Sequence, residues 1–265
     1  MSAIAAFVGS IPELYDRHLG PVLFEPYARD LARRLPAEAS RVVEIAAGTG
    51  RLTNHLLRSL AKVGTLVATD LNQDMVTQAA RAIPADPRLS FRVVDAQELP
   101  FDDDSFDTAA CQFGLMFVPD KPRALRELRR VLRPGGTLLL STWNTLDHNP
   151  ATKLVHELAG ATFPSDPPTF MRIPFSLGDA AELGALVSDA GFEARVETVD
   201  FVSEASSAAD FAIGVVRGNP LWGQLVERGA DAAAFQQAVT DALIREYGDR
   251  PCRMPISAHV VTARA

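Results

Sequence analysis

Three carboxylates and one glycine-rich turn are the residues of this chain whose types and spacing could bind a ligand. Glu44 lies in an apolar run that ends in the turn Gly48-Thr49-Gly50, Asp70 ends a second run and Asp95 ends a third. Turns of this kind bind dinucleotides, nucleoside triphosphates or ligands without a phosphate. An acid inside a strand is costly unless amides or a cationic group lie nearby. The pattern therefore favours a ligand site, with a tight ligand-free turn as the alternative.

The residues after the glycines separate these ligand classes. A triphosphate-binding loop needs a lysine and a hydroxyl residue after its last glycine, and here Arg51-Leu52 follow. A dinucleotide fingerprint needs Gly or Ala at its third small position, and here Thr53 stands there. Asp70 is spaced to accept hydrogen bonds from ribose hydroxyls, and Asp95 with Ala96 is placed to meet an adenine amino group.

Strands and helices alternate along residues 41–143 and bring these groups together. Apolar runs predict strands, apolar positions at helical spacing predict the helices between them, and Asn72 is predicted to cap one helix. The alternation predicts an α/β fold whose sheet is covered by helices on both faces. The carboxyl ends of parallel strands meet at one edge, so the acids should converge there. The predicted strands are 41–46, 65–69, 89–94, 107–113, 136–143, 192–202 and the tail from residue 255, paired beside the sixth strand.

Four stretches in this order and spacing resemble the class I S-adenosylmethionine-dependent methyltransferases. They are VVEIAAGTG, LVATDLNQDMV, VVDAQELPFDDDSFD and ALRELRRVLRPGGTLLLSTW, within residues 42–143. The resemblance is to the group related to the ubiquinone and menaquinone C-methyltransferases and to many small-molecule methyltransferases. Many relatives have Gly-Cys where this chain has Ala46-Ala47, a change between small residues that keeps close backbone approach.

The resemblance implies a Rossmann-like, doubly wound seven-stranded sheet whose last strand is antiparallel. It implies N-terminal helices and helical insertions that form a lid. The expected organisation is a helical lid or substrate segment over 1–40, a cofactor-binding core over 41–143, and the remainder of the same domain over 144–265. Substrate-binding insertions are expected at 144–176 and 203–250.

The resemblance also implies S-adenosylmethionine as cofactor and S-adenosylhomocysteine as product. Glu44 would hold the methionine ammonium, and Asp70 would bind the ribose diol. Tyr15 would contact the cofactor from the lid, although its place on an apolar stripe also suits simple packing. The remaining implied cofactor residues are Ala46, Gly48, Thr49 and Gly50 at the turn, Leu71 and Met75 beside the adenine, Asp95 and Ala96 at its edge, and Gln112 and Phe113 near the sulfonium.

Methyl transfer by in-line displacement depends mainly on positioning. It needs a base only if the acceptor must first lose a proton. His18, on the expected lid, and His148, beyond the fifth strand, are the candidate bases. Residue spacing indicates no metal site, and the acceptor atom stays open among oxygen, nitrogen, carbon and sulfur.

Composition limits the partners and the compartment. The net charge of −7 disfavours nucleic acid, whose enzymes normally carry a basic surface. No apolar run approaches the roughly 20 residues of a membrane span, and MSAIAAFVGS lacks the features of a secretory leader. Cys111 and Cys252 are expected to be free thiols, which fits a cytoplasmic protein.

The expected partner is a small, partly hydrophobic methyl acceptor. Two alternatives to a methyltransferase remain. One is an NAD(P)-dependent oxidoreductase, and the other is a noncatalytic S-adenosylmethionine-binding sensor or scaffold.

Overall fold

A mixed sheet of seven strands organises the described part of the chain. The computed structural model describes residues 11–265, so the prediction about a secretory leader lies outside the described residues. The strand order is β3-β2-β1-β4-β5-β7-β6, and β7 runs antiparallel to both of its neighbours while the other pairs are parallel. The seven-stranded α/β fold with an antiparallel last strand is thus confirmed. The strands are β1 Arg41–Glu44, β2 Thr65–Asp70, β3 Leu89–Val93, β4 Phe106–Gln112, β5 Leu132–Trp143, β6 Glu193–Ala205 and β7 Cys252–Arg264.

Helices cover both faces of the sheet because neighbouring strand residues point to opposite sides. Val43 packs in one apolar cluster with Leu125 and Leu183, whereas Val42 packs in another with Leu31 and Leu56. The first cluster holds helices α5 and α7, and the second holds α2 and α3. The helices are α1 Ile11–Leu14, α2 Glu25–Arg33, α3 Arg51–Ser59, α4 Gln73–Ala82, α5 Lys121–Val131, α6 Pro150–Thr162, α7 Ala180–Asp189, α8 Ala208–Arg217, α9 Leu221–Glu227 and α10 Ala232–Tyr247.

The predicted element boundaries agree with the structure to within three residues except at three places. Strand β5 begins at Leu132, before the predicted start, and its register shifts so that Phe106 pairs with Leu132 and Thr108 with Thr137. The predicted helix near residues 11–19 is a short α1 followed by a wide π-type segment, Tyr15–Phe24, that contains a proline. The insertion after β5 contains the 13-residue helix α6. The predicted cap is confirmed, because the Asn72 side chain accepts hydrogen bonds from two backbone N–H groups of α4.

A third apolar cluster joins the π-type segment to the insertions. It includes Leu19 and Phe24 from that segment, Trp143 from the end of β5, Phe170 from the insertion after β5, and Phe211 from α8. This layer therefore lies beside the strand ends that carry the predicted ligand residues. Both cysteines are free and buried. Within residues 11–265, no helix has the length and apolar character that a bilayer crossing requires.

Candidate active site

The turn after β1 is shaped by residues with left-handed backbone conformations. Ala46, Gly48 and Gly50 have φ values of 52°, 56° and 86°, a region that favours glycine. A Cβ added at Gly48 would have no atom within 4 Å, whereas one added at Gly50 would lie 2.8 Å from the Ile83 Cδ1 atom. Gly48 therefore leaves open space beside the backbone, and Gly50 allows the turn to pack against the end of α4.

Glu44 ends β1 with its side chain fully inside the protein. It is 1% exposed, and the Thr53 hydroxyl donates a 2.6 Å hydrogen bond to its Oε2 atom. Burial raises the pKa of the Glu44 carboxyl to about 8, the negative charge of Asp70 adds to this rise, and the Thr53 bond opposes it. At neutral pH the carboxyl is therefore mostly protonated, and a nearby cation would favour its ionisation.

Asp70 ends β2 and holds the glycine turn in place. Its Oδ2 atom accepts a 2.9 Å hydrogen bond from the Gly48 N–H, and its Oδ1 atom accepts one of 2.8 Å from the Asn72 N–H. Burial raises the pKa of this carboxyl above its usual range, against the effect of these amides. Each carboxylate oxygen has a further lone pair, so Asp70 can still accept hydrogen bonds from a ligand.

Two adjoining cavities gather the predicted cofactor residues. The larger, called the polar cavity, has a volume of about 730 Å³, and the smaller, called the recess, has about 320 Å³. Of the predicted residues, only Gly50 lines neither. The polar cavity is lined by Tyr15, Ala46, Gly48, Asp70, Leu71, Met75, Asp95, Ala96, Gln112 and Phe113 among others, and the recess by Tyr15, Glu44, Ala46, Gly48, Thr49 and Gln112 among others.

Two of these residues have side chains already engaged with the protein. The Asp95 carboxylate accepts hydrogen bonds from the backbone N–H and side-chain amide of Gln97, at 2.8 and 3.1 Å. The Gln112 amide donates a 2.7 Å hydrogen bond to the Phe24 carbonyl. Gln112 therefore connects the end of β4 to the end of the π-type segment.

A third cavity, called the aromatic cavity, has a volume of about 610 Å³. The rings of Phe113 and Trp143 stack in its wall, with centroids 3.9 Å apart and planes 4° apart. Tyr15, Phe113 and Phe117 line both this cavity and the polar cavity, so the two cavities share a wall. The aromatic side chains that line it are Tyr15, Phe24, Phe113, Phe117, Trp143, Phe170 and Phe175.

Tyr15 lines all three cavities. Its ring stacks on Phe24 with a centroid distance of 4.7 Å. Burial, together with the negative charges of Asp70 and Asp16, raises the pKa of the Tyr15 hydroxyl. The hydroxyl therefore stays protonated and can act as a hydrogen-bond donor but not as a base.

The position of Tyr15 is fixed through the next residue. The Asp16 carboxylate accepts a 3.0 Å hydrogen bond from the Thr49 hydroxyl and one of 3.1 Å from the Arg51 Nε atom. The Arg51 Nη2 atom also donates to the Asp16 carbonyl at 2.8 Å. We call Asp16, Thr49 and Arg51 the latch, because they tie the π-type segment to the glycine turn.

The two candidate bases lie away from these cavities. His18 is buried with its Nδ1 atom 2.9 Å from the Asp210 Oδ1 atom, and exposed His148 is hydrogen-bonded to the Thr145 hydroxyl. Neither lines the polar cavity, the recess or the aromatic cavity. Their positions therefore give the predicted base role no support.

The sequence argument missed several lining residues of the aromatic cavity. Trp143, Asn149, Thr152 and Asn219 all line it. A signal existed for Trp143, since it ends β5 at the carboxyl edge that also carries Glu44 and Asp70. The other three lie on connections and helices whose position relative to the sheet has no local signature.

Comparison with known proteins agrees with this arrangement. Residues 43–140 match the family model described as a methyltransferase domain. The chain is 40% identical over 110 residues to a demethylmenaquinone methyltransferase of Clavibacter sepedonicus, covering 42% of this chain and 44% of that protein. It is 33% identical over 165 residues to the ubiquinone/menaquinone biosynthesis C-methyltransferase UbiE of Escherichia coli, covering 57% of this chain and 66% of that protein. The chain thus spans less than two thirds of the length of these relatives.

Among solved structures, the YcgJ protein of Bacillus subtilis shares the fold. The TM-score is 0.56 at 20% sequence identity, covering 90% of this chain and 98% of that one. The matched segment 43–140 contains Glu44, the glycine turn, Asp70 and Asp95. Residues 43–140, which carry the predicted ligand residues, therefore match a methyltransferase domain.

Proposed function

We propose that the protein binds S-adenosylmethionine across the polar cavity and the recess, and methylates a small organic acceptor held in the aromatic cavity. The observation that carries this proposal is the open space at Gly48, where an added Cβ would touch nothing. Gly48 lines both the polar cavity with Asp70 and the recess with Glu44. A ligand lying along this backbone could therefore reach both acids.

The residues of the two cavities fit this cofactor. Glu44 would hold the methionine ammonium in the recess, because a cation there compensates a buried carboxylate. Asp70 would accept hydrogen bonds from the ribose hydroxyls, while Leu71 and Met75 would contact the adenine. When bound, the cofactor supplies a methyl group on a positively charged sulfur. The protein residues would bind it, orient it and exclude water.

The shared wall of the cavities supports catalysis by positioning. In-line displacement requires two reactants to be held in contact and aligned, and that alignment can contribute several kcal/mol. Tyr15, Phe113 and Phe117 face both cavities, so they would fix the boundary between cofactor and acceptor. Tyr15 remains protonated, so we propose that the described lining of the aromatic cavity supplies no general base.

The two alternative functions have less support. For an oxidoreductase, the third position of the dinucleotide fingerprint would need Gly or Ala, and here the Thr53 hydroxyl donates to Glu44. For a noncatalytic sensor, no acceptor space would be needed beside the cofactor. The aromatic cavity next to the polar cavity therefore favours an enzyme.

Calorimetric titration with S-adenosylmethionine, S-adenosylhomocysteine and NADH tests the cofactor assignment. We expect both adenosyl compounds to bind and NADH to show no heat of binding. Absence of S-adenosylmethionine binding would overturn the proposal. A mass-spectrometric screen of metabolites for a gain of one CH₂ unit then tests transfer itself, with Glu44→Gln protein as the matched control.

A further inference from the structure

The side chains that line the aromatic cavity favour one class of acceptor. Among its described lining residues, Tyr15 is the only titratable one, and no Lys, Arg, His, Asp or Glu is present. A charge buried without a partner of opposite sign is strongly unfavourable. The cavity therefore offers no opposite charge to a carboxylate, a phosphate or an ammonium group on the acceptor, and an ammonium would gain only cation–π contact with the rings, roughly 0.5–2 kcal/mol.

Two of the polar side chains in the cavity already form hydrogen bonds within the protein. The Asn149 amide donates to the carbonyls of Asn144, Thr145 and Ser257, and its oxygen accepts from the Ser257 N–H. The Asn219 amide donates to the Val215 carbonyl, and its oxygen accepts from the Leu221 N–H. The Asn149 amide donors are therefore occupied, whereas Asn219 keeps one N–H and one lone pair and carries no charge that would neutralise an ionic acceptor.

Two other donors lack such partners. The Trp143 side chain is 6% exposed, and its indole N–H donates to no residue in the described part of the chain. The Thr152 hydroxyl, on the first turn of α6, likewise has no hydrogen bond to another described residue. Indole N–H groups of largely buried side chains usually find a partner, and the Trp143 nitrogen is not among the fully buried unpartnered atoms of the described residues, so this donor is accessible to a ligand atom that accepts a hydrogen bond.

We propose that the acceptor is an uncharged, ring-containing molecule with a hydrogen-bond-accepting oxygen that meets the Trp143 indole N–H and the Thr152 hydroxyl. Flat rings pack favourably against aromatic faces, which seven of the cavity's 15 described lining residues provide. The volume of about 610 Å³ is within the range of sites for drug-sized ligands. This proposal rests on the proposed function, because it places the acceptor beside the cofactor.

Three naphthalene probes that share the same ring system but differ in charge test the proposal. Binding of 1-naphthol, 1-naphthoate and 1-naphthylmethylammonium is measured by calorimetry on the full chain saturated with S-adenosylhomocysteine. We expect the neutral naphthol to bind about tenfold or more tightly than either ion, since neither ion finds an opposite charge in the cavity and ring contacts alone do not compensate for the lost hydration of an ammonium. Equal or tighter binding of an ion, or no binding of naphthol, would overturn the proposal.

Variants of the two donors test the hydrogen bonds. Trp143→Phe keeps an aromatic ring without the N–H, and Thr152→Val keeps the shape without the hydroxyl. Each should weaken naphthol binding about threefold to tenfold, the effect of one lost neutral hydrogen bond. Trp222→Phe is the matched control, since Trp222 lies on α9 and lines none of the three cavities.

Binding of S-adenosylhomocysteine to each variant shows whether its fold and cofactor site are intact. Unchanged naphthol affinity in both donor variants would overturn the assigned hydrogen bonds. Failure of the unaltered protein to bind S-adenosylhomocysteine would instead contradict the proposed function. The two failures are therefore distinguishable.

Discussion

Cofactor binding should release a proton from Glu44. The carboxyl is buried, and its pKa is raised from 4.5 to about 8. At pH 7 about nine-tenths of these carboxyls are protonated when no ligand is bound. If the methionine ammonium binds there, the carboxyl should ionise, because an adjacent cation favours the charged form. Binding at pH 7 should therefore release close to one proton for each cofactor bound, and binding at pH 9 should release about a tenth of a proton.

The magnitude follows from the pKa. If only the ionised carboxyl binds the ammonium, S-adenosylmethionine should bind roughly fifty times more tightly at pH 8 than at pH 6. Calorimetry in buffers with different ionisation enthalpies measures the released protons directly. Glu44→Gln should abolish most of the release, and its amide oxygen can still accept the Thr53 hydrogen bond. Glu127→Gln is the control, since the Arg130 side chain lowers the pKa of Glu127 and keeps it ionised.

The same group should make the ligand-free protein less stable as pH rises. Its pKa is higher in the folded state than in the unfolded state, so the folded state binds more protons between pH 4.5 and 8. The contribution of the Glu44 carboxyl to the free energy of unfolding is then highest below pH 4.5. It falls as the pH approaches 8, by roughly 5 kcal/mol at most. Urea unfolding of the protein and of Glu44→Gln at pH 6 and 8.5 measures this loss. If the unaltered protein and Glu44→Gln released equal numbers of protons on cofactor binding, or showed equal pH dependence of unfolding, the role given to Glu44 would be refuted.

Three further changes test separate parts of the site. Asp70→Ala should weaken S-adenosylhomocysteine binding by about 1.5–3 kcal/mol in calorimetry, and unchanged affinity would exclude Asp70 from the site. Gly48→Ala should weaken that binding more than tenfold, because the Cβ enters the open space, while about 1 kcal/mol of strain lowers stability. Gly135→Ala, with φ of 73° and equally open surroundings, should cost similar stability with no effect on binding. Asp16→Asn should speed S-adenosylhomocysteine dissociation about threefold to tenfold in stopped-flow measurements. Asp30→Asn breaks an ion pair of similar exposure on α2 and should leave the dissociation rate of S-adenosylhomocysteine unchanged.

The central sheet could be predicted because its signals are local and repeated. Buried strands such as β4 are apolar on both faces, and each is followed by a turn or a helix start that the sequence marks. Within the expected helical insertion at 144–176, the bounds of helix α6 could not be predicted, because its buried positions, Ala151, Val155 and Ala159, are mostly small residues that give weak periodicity. The start of β5 was misplaced because the Pro-Gly-Gly break lies inside the strand as a register shift.

The convergence of the proposed cofactor residues could be predicted because the carboxyl ends of parallel strands must meet. Glu44 and Asp70 each end a strand of the sheet and line adjoining cavities. The aromatic cavity depends instead on packing between segments distant in sequence, such as Phe24, Trp143 and Phe170. No local pattern encodes those distances. The hydrogen bond from Thr53 to Glu44 was also missed, because that position was judged only by the space a dinucleotide would need.

The latch makes the geometry of the aromatic cavity, the proposed acceptor site, depend on the glycine turn. Thr49 lines the recess, and its hydroxyl donates a hydrogen bond to the Asp16 carboxylate in the π-type segment. A ligand that stabilises the turn would therefore also stabilise Tyr15, the neighbour of Asp16, in the wall shared by all three cavities. Since Gln112 holds the other end of this segment through the Phe24 carbonyl, both ends are fixed by residues at the predicted cofactor site. It follows that the wall of the aromatic cavity should be best ordered when a ligand occupies the turn, so we expect the proposed acceptor site to be completed by the proposed cofactor rather than formed independently of it.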